Sequence, residues 1–348
     1  METHASGVWG RKRSSWAIWA AWGAVAGLFY LALRATPLDR TLKTLDLLEP
    51  EQIAALIAVN ALILGGMALR WLLILRSMQW RRASLIQLLA YRLVGFGVSF
   101  FTPGPQFGGE PVQVDLLSRR ERAPLAVAVS SVYLDRLLDL LANFTFLALG
   151  AAVALLNGFA AGAWVWGVVV GVLALPLGHL ALLHRGKYPA AWLVARLARG
   201  RETDWWRRAG EVTREAEERI AGLCRDQPGR LAAWIGLSGA IWGLMIVEYG
   251  LTLRFLGADP SPVEVILALT AGRLALLMPI PGGLGALEAS QVLATQALGW
   301  GPQVGLALSL VVRARDFLLA LFGIAYGALA YQSAARHPAP REERPIGD

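Results

Sequence analysis

Apolar runs long enough to cross a bilayer limit the fold of this chain more than any motif does. Residues 16–33 carry no charge, and residues 52–75, 164–183, 231–255 and 302–331 each reach spanning length with no more than three charges inside. A hydrocarbon layer about 30 Å thick takes roughly 20 apolar residues as helix, and a helix satisfies its own backbone where no water can. With 56% hydrophobic residues and a mean hydropathy of +0.49, these runs predict an all-α polytopic integral membrane protein. The first run is read as a retained span, because Leu33-Arg34-Ala35 makes a poor signal-cleavage site. The 124–156 run exceeds one span, so it is expected to tilt or to extend into water.

Two stretches do not fit an unbroken span. Residues 91–111 and 272–288 each present an arginine, an apolar run, a Pro/Gly break and a glutamate. Proline and paired glycines do not continue a helix. Each stretch is therefore predicted to enter the membrane, unwind and turn back, as re-entrant elements over 85–117 and 262–298. The breaks, with Pro103, Gly104, Gly108 and Gly109 in one and Pro281, Gly282, Gly283 and Gly285 in the other, are the expected gates. Backbone groups freed there need buried protein, water or a polar substrate.

The expected architecture is about six transmembrane helices plus these two broken elements. A span and periplasmic loop occupy 1–51, and a first membrane unit 52–156. A fourth span and a cytoplasmic amphipathic loop fill 157–230, a second unit takes 231–332, and a tail follows at 333–348. With both termini cytoplasmic, nearly all loop Lys and Arg fall inside, and only Arg34, Arg40 and Lys43 fall outside. That orientation sends the two broken elements in from opposite faces, which is an inverted-topology repeat. In the loop, Ala209, Val212, Ala216, Ile220 and Leu223 recur at helical spacing beside Trp205 and Trp206. Such a helix lies on the membrane surface or packs on its own protein, and amphipathicity alone does not choose between them.

Charges inside the membrane carry the functional argument. Arg92, Glu110, Asp135, Arg136, Asp139, Glu248, Arg273, Glu288, Arg313, Arg315 and Asp316 all fall in apolar segments. Each costs about 2.5 to 3.5 kcal/mol at a helix centre facing lipid, so they are expected to face one another or a watery cavity. Asp135, Arg136 and Asp139 share a helix at spacings that allow an internal pair and a partner for Arg92, and Arg313 and Asp316 repeat the three-residue step. Arg92 and Arg273 have no carboxylate within helical reach of their own segments, which suits a phosphate beside unwound backbone. The expected substrate-binding set is Arg92, Arg273, Glu110, Glu288, Arg136, Asp135, Arg313 and Asp316. Glu110 and Glu288 are expected to cap the returning helices or to carry protons. Arg70 is expected to reach the cytoplasmic interface, and His179 to stand without a partner. The single cysteine, Cys224, is expected in the cytoplasmic loop, open to an impermeant maleimide.

The motifs Pro103-Gly104-Pro105-x-x-Gly108-Gly109-Glu110-Pro111, Asp135-Arg136 and Pro279-x-Pro281-Gly282-Gly283-x-Gly285-x-x-Glu288 resemble the lysylphosphatidylglycerol synthase transmembrane-region family, the flippase-like module of multiple peptide resistance factor proteins. The resemblance covers about residues 50–332. It implies a bacterial inner-membrane protein that moves a lipid between leaflets, an aminoacylated phospholipid in the best-known members and other lipids, some isoprenoid-linked, elsewhere; Arg92 and Arg273 point to an anionic or phosphate-containing one. The chain ends at Asp348 without a soluble aminoacyl-transfer domain, so lysyl transfer is not expected and the lipid's identity stays open. Alternatives from other classes are a membrane enzyme and an accessory subunit in lipid or lipid-linked glycan modification. No nucleophile, histidine base or acidic metal cluster stands in an interfacial loop, so neither enzyme activity, metal nor cofactor is expected. The net charge of +8 flanks spans rather than forming a nucleic-acid surface. Membrane lipids are the expected partners, with the oligomeric state open and a homodimer one outcome.

Overall fold

The computed structural model describes residues 38–102, 108–158, 164–199, 203–277 and 284–336. The predicted first span, the tail beyond 336, and Pro103, Gly104, Pro281, Gly282 and Gly283 lie outside the described residues. The described residues form twelve helices and no strand. They are α1 (Leu38–Leu45), α2 (Pro50–Ser77), α3 (Leu85–Phe101), α4 (Glu110–Arg120), α5 (Leu125–Leu156) and α6 (Trp164–His184), then α7 (Pro189–Leu197), α8 (Asp204–Asp226), α9 (Pro228–Phe255), α10 (Pro262–Leu276), α11 (Ala286–Ala297) and α12 (Pro302–Arg336).

Helix starts follow local chemistry. Ser84 and Gln87 close a capping box at α3, with the Ser84 amide on Gln87 at 2.8 Å, and Ser261 with Glu264 repeats it at α10. Proline in the first turn opens α2, α9 and α10, where its missing amide costs nothing. Helices α2, α5 and α9, of 28, 32 and 28 residues, are long and apolar enough to cross a membrane. At 1.5 Å per residue α5 measures roughly 48 Å, well beyond the thickness of a hydrocarbon layer, which leaves both tilt and extension into water open to it.

The long α12 packs along both α3 and α11, and glycines permit the approach. A Cβ added to Gly323 would collide with the Leu93 carbonyl of α3, and one on Gly97 would stand 2.7 Å from the Ala320 carbonyl of α12. Small residues at such crossings let helix backbones touch where apolar side chains would gain nothing over lipid. Gly323→Val should therefore cost about 1–3 kcal/mol, seen as a lower unfolding temperature in detergent. Gly65→Val, where nothing lies within 4 Å, should leave the melt unchanged.

The amphipathic helix predicted between 205 and 223 is α8, and its apolar face is used inside the protein. Ile220, Ala221 and Leu223 are buried with Leu134, Leu137 and Leu138 of α5 and Leu183 of α6. Cys224 is buried in the same cluster, and burial holds its thiol above the ordinary value. That corrects the expectation of an openly reactive cysteine. His179 is likewise not alone. Its Nε2 lies 2.5 Å from the Tyr133 hydroxyl and 3.3 Å from Glu217 of α8, a partner that sequence distance had hidden.

Glu217 is fully buried and also accepts the amides of Ala190 and Ala191 at 2.9 and 2.8 Å, so it caps α7 while tying α8 to α5 and α6. Burial alone would raise its pKa. The His179 contact and the two amides outweigh burial and hold the carboxyl below its ordinary value of 4.5. A depressed native value means the stabilisation is complete above 4.5 and is lost as pH falls through the native value. Glu217→Gln should cost about 1–3 kcal/mol at pH 7. The gap to the parent protein should narrow in thermal melts as pH falls below 4.5 and close only below the lowered native value.

Candidate functional site

The site is built around a guanidinium fixed deep in α2. Arg70 is 1% exposed; its Nε donates to Asp135 Oδ1 at 2.8 Å, its Nη2 to Asp139 Oδ1 at 2.5 Å, and its Nη1 to Ser238 of α9 at 2.8 Å. This corrects the expectation that Arg70 reaches for the membrane interface. Arg92 of α3 closes the network, with Nη2 at 2.5 Å from Asp135 Oδ2 and 3.6 Å from Asp139 Oδ2. So Arg92, though it has no counter-charge in its own segment, is paired across helices.

The neighbouring charges also pair between helices rather than along them. Arg136 Nε lies 3.2 Å from Glu110 Oε1, and Arg313 Nε lies 2.9 Å from Glu288 Oε1. Each pair joins the first turn of a short helix, α4 or α11, to the following long helix, α5 or α12. Arg136, three residues from Asp139 on α5, helps to hold that carboxylate, and Asp316 meets Arg315 at 2.9 Å. Arg315 also reaches Glu248 of α9 at 2.9 Å, where Asn60 of α2 donates at 3.2 Å. Glu110 additionally accepts the Gly108 amide at 2.9 Å, and the Gly109 amide donates to Ser99 at 2.9 Å, so the turn into α4 is held by side chains of the site.

Arg273 differs from the rest. Among the described residues it makes no ion pair; its guanidinium lies over the Trp242 ring, 4.7 Å from the centroid, with Nη2 3.3 Å from Met245 Sδ. Trp242 in turn stacks on Phe146 of α5, which fixes the platform beneath the charge.

A cavity of about 270 Å³ opens between these groups. Arg92, Glu110, Arg136 and Asp139 line it from α3, α4 and α5, and Glu248, Arg273, Arg315 and Asp316 from α9, α10 and α12. Formal charges on the wall balance, four against four. Between them stand Leu64, Met67, Phe96, Phe100, Leu269 and Leu276, so the wall is amphiphilic.

Of the predicted set, Arg92, Arg273, Glu110, Arg136 and Asp316 thus share one cavity. Asp135 sits behind Arg92, and Glu288 with Arg313 forms a pair off the lining. Gly108, Gly109 and Gly285 frame the starts of α4 and α11, with Gly108 and Gly285 at φ 131° and 77°, a backbone that favours glycine. Sequence reasoning missed Arg70 and the glutamines Gln113 and Gln291. The signal for the latter was a repeated Glu-x-x-Gln, at 110–113 and 288–291. Both glutamines line the cavity, Gln113 against Gly95 and Gln291 against Gly272. Tyr249 donates to Gln291, which holds that side in place.

The fold and this buried charge set define a helical membrane protein with an internal polar site, not a bundle held by apolar packing alone. The profile of the family described as Lysylphosphatidylglycerol synthase TM region matches residues 18–323, and the chain belongs to that family. It is 28% identical over 294 residues to a UPF0104 membrane protein of Methanothermobacter thermautotrophicus, covering 80% of this chain and 85% of that one. A UPF0104 membrane protein of Methanocaldococcus jannaschii is 28% identical over 116 residues, 33% of this chain and 34% of its own. No solved structure matches.

Proposed function

We propose that this protein moves an anionic, phosphate-bearing lipid between the leaflets of the cytoplasmic membrane. The observation that carries the reading is the amphiphilic cavity, faced by charges from residues 92–139 and 248–316 and holding in Arg273 a guanidinium that forms no ion pair among the described residues. At about 270 Å³ it falls just below the ~300 Å³ of small ligand pockets, which suits a head group whose tails stay in the bilayer. A phosphodiester would bring a charged oxygen acceptor to a guanidinium whose described contacts are the Trp242 ring and the Met245 thioether. The family's own description, a lipid synthase membrane region, supports a lipid as cargo.

In this reading α3 with α4 and α10 with α11 are the two re-entrant elements, in units 52–156 and 231–332 of opposite topology, with both termini cytoplasmic. The two Glu–Arg pairs are the latches of alternating gates. They are unequal: the side chains of Arg136 and Glu110 are 30% and 27% exposed and face the cavity, whereas those of Arg313 and Glu288 are 13% and 2% exposed and lie off it. In this reading the more exposed pair is the one nearer to opening toward the cavity, as a carrier with a single access side needs.

The test is purified protein in liposomes with a panel of labelled lipids, scoring the fraction protected from an impermeant quencher over time. Transfer of an anionic lipid above the protein-free rate is expected. Folded protein that transfers no lipid would overturn the reading in favour of an accessory subunit or a lipid-modifying enzyme.

A further inference from the structure

Outside the membrane helices, α7 presents an apolar face that the other described residues leave uncovered. None of its nine residues is buried, and Trp192, Leu193 and Leu197 are 61%, 49% and 54% exposed, with Trp205 at the start of α8 at 66%. The helix is not a loose end, because Glu217 holds its first amides and Ala191 and Trp192 pack toward α8. Exposed Trp192, Leu193 and Leu197 on α7, with Trp205 exposed at the start of α8, need a partner with an apolar interior and a polar rim.

Its position says which one. Only residues 185–188 separate α7 from the end of the apolar helix α6 at His184. Four extended residues reach at most about 14 Å, so α7 begins beside the level at which α6 leaves hydrocarbon. Charge points the same way. Arg185 and Lys187 lie in the link, Arg196 rides over Trp192 at 5.5 Å, and Arg199 lines a groove of about 1020 Å³ between α7 and α8, in which Arg207 and Arg214 are already paired with Asp204 and Glu218. Tryptophan rings with adjacent basic side chains are the composition of the bilayer interface, where indoles sit among head groups and cations meet acidic lipids. We infer that α7 and the start of α8 seat on the head-group layer beside α6, taking acidic phospholipid as partner. This surface is separate from the internal cavity, so it stands or falls independently of lipid translocation.

The experiment uses the full chain in nanodiscs, in a Cys224→Ser background, with spin labels on Leu193→Cys, Leu197→Cys and, as a water-exposed control, Glu215→Cys. Gel filtration establishes folding for each. In discs with phosphatidylglycerol, collisions with oxygen relative to a water-soluble nickel complex should be about tenfold higher at 193 and 197 than at 215, the contrast between interface and water. Reversing charge with Arg196→Glu and Arg199→Glu, or using phosphatidylcholine alone, should reduce that ratio roughly fivefold. Equal ratios at all three sites would overturn the inference, as would protection of 193 and 197 from both reagents, which marks a second copy of the chain. A ratio indifferent to lipid charge would overturn the choice of acidic lipid.

Discussion

Arg70→Ala should lower stability by about 3 to 5 kcal/mol, the cost of removing one partner from a buried ion network. The side chain is 1% exposed and bonds Asp135, Asp139 and Ser238, which lie on two other helices. Without it, two carboxylates remain in a low-dielectric interior with Arg92 as their main counter-charge. The measurement is the fraction of detergent-solubilised protein that stays monodisperse on gel filtration after heating. Adding Asp139→Asn to Arg70→Ala should recover part of the loss, because it removes the carboxylate that Arg92 reaches only at 3.6 Å. A melt within about 0.5 kcal/mol of the parent would show that water, not protein, solvates these carboxylates.

Arg70 also shows where sequence reasoning stops. It lies seven positions from the end of α2, near enough for a long side chain to reach the interface, and nothing in the local pattern distinguishes that from burial. Helical spacing tells which residues share a face, and so Asp135 and Asp139 were legible as a pair. It does not tell which other helix that face meets. Hence Arg136 was matched to Asp139 on its own helix, whereas it meets Glu110 across the turn between α4 and α5. The near-equal separations of Glu110 from Arg136 and of Glu288 from Arg313 carried the true pairing, since a spacing kept twice beside a Pro/Gly break reflects a contact rather than a face. The spans themselves were readable because hydrophobic length is a one-dimensional property, and α2, α5 and α9 begin and end close to the predicted limits. His179 was not readable, because Glu217 lies in a polar helix that folds back from outside the apolar segments.

The two arginines that look alike in sequence are not alike in place. Gly95 and Gly272 occupy matching settings, each against the glutamine of a Glu-x-x-Gln, yet Arg92 precedes its glycine by three residues and Arg273 follows its own by one. The guanidinia therefore stand about one helical turn apart in local register, which suits successive rather than simultaneous contact with a head group. Of the two, Arg92 forms ion pairs with Asp135 and Asp139, and Arg273 forms none among the described residues.

That difference separates two phenotypes. Arg92→Ala should impair both folding and transfer, because it strips a counter-charge from Asp135. Arg273→Ala should melt within about 1 kcal/mol of the parent, since it removes a cation whose direct described contacts are Trp242 and Met245 rather than an ion pair. Yet it should slow transfer of an anionic lipid roughly 10- to 100-fold, the worth of one charge-assisted contact to phosphate. Arg273→Lys should restore part of the rate, keeping the charge over the Trp242 ring while losing the two-pronged geometry that fits phosphate. Proteoliposomes assayed with the impermeant quencher give the rates, and the same samples heated in detergent give the melts. A folded Arg273→Ala protein that transfers lipid at the parent rate would remove the phosphate contact from the mechanism, and the head group would then have to be held by the paired charges of the opposite wall.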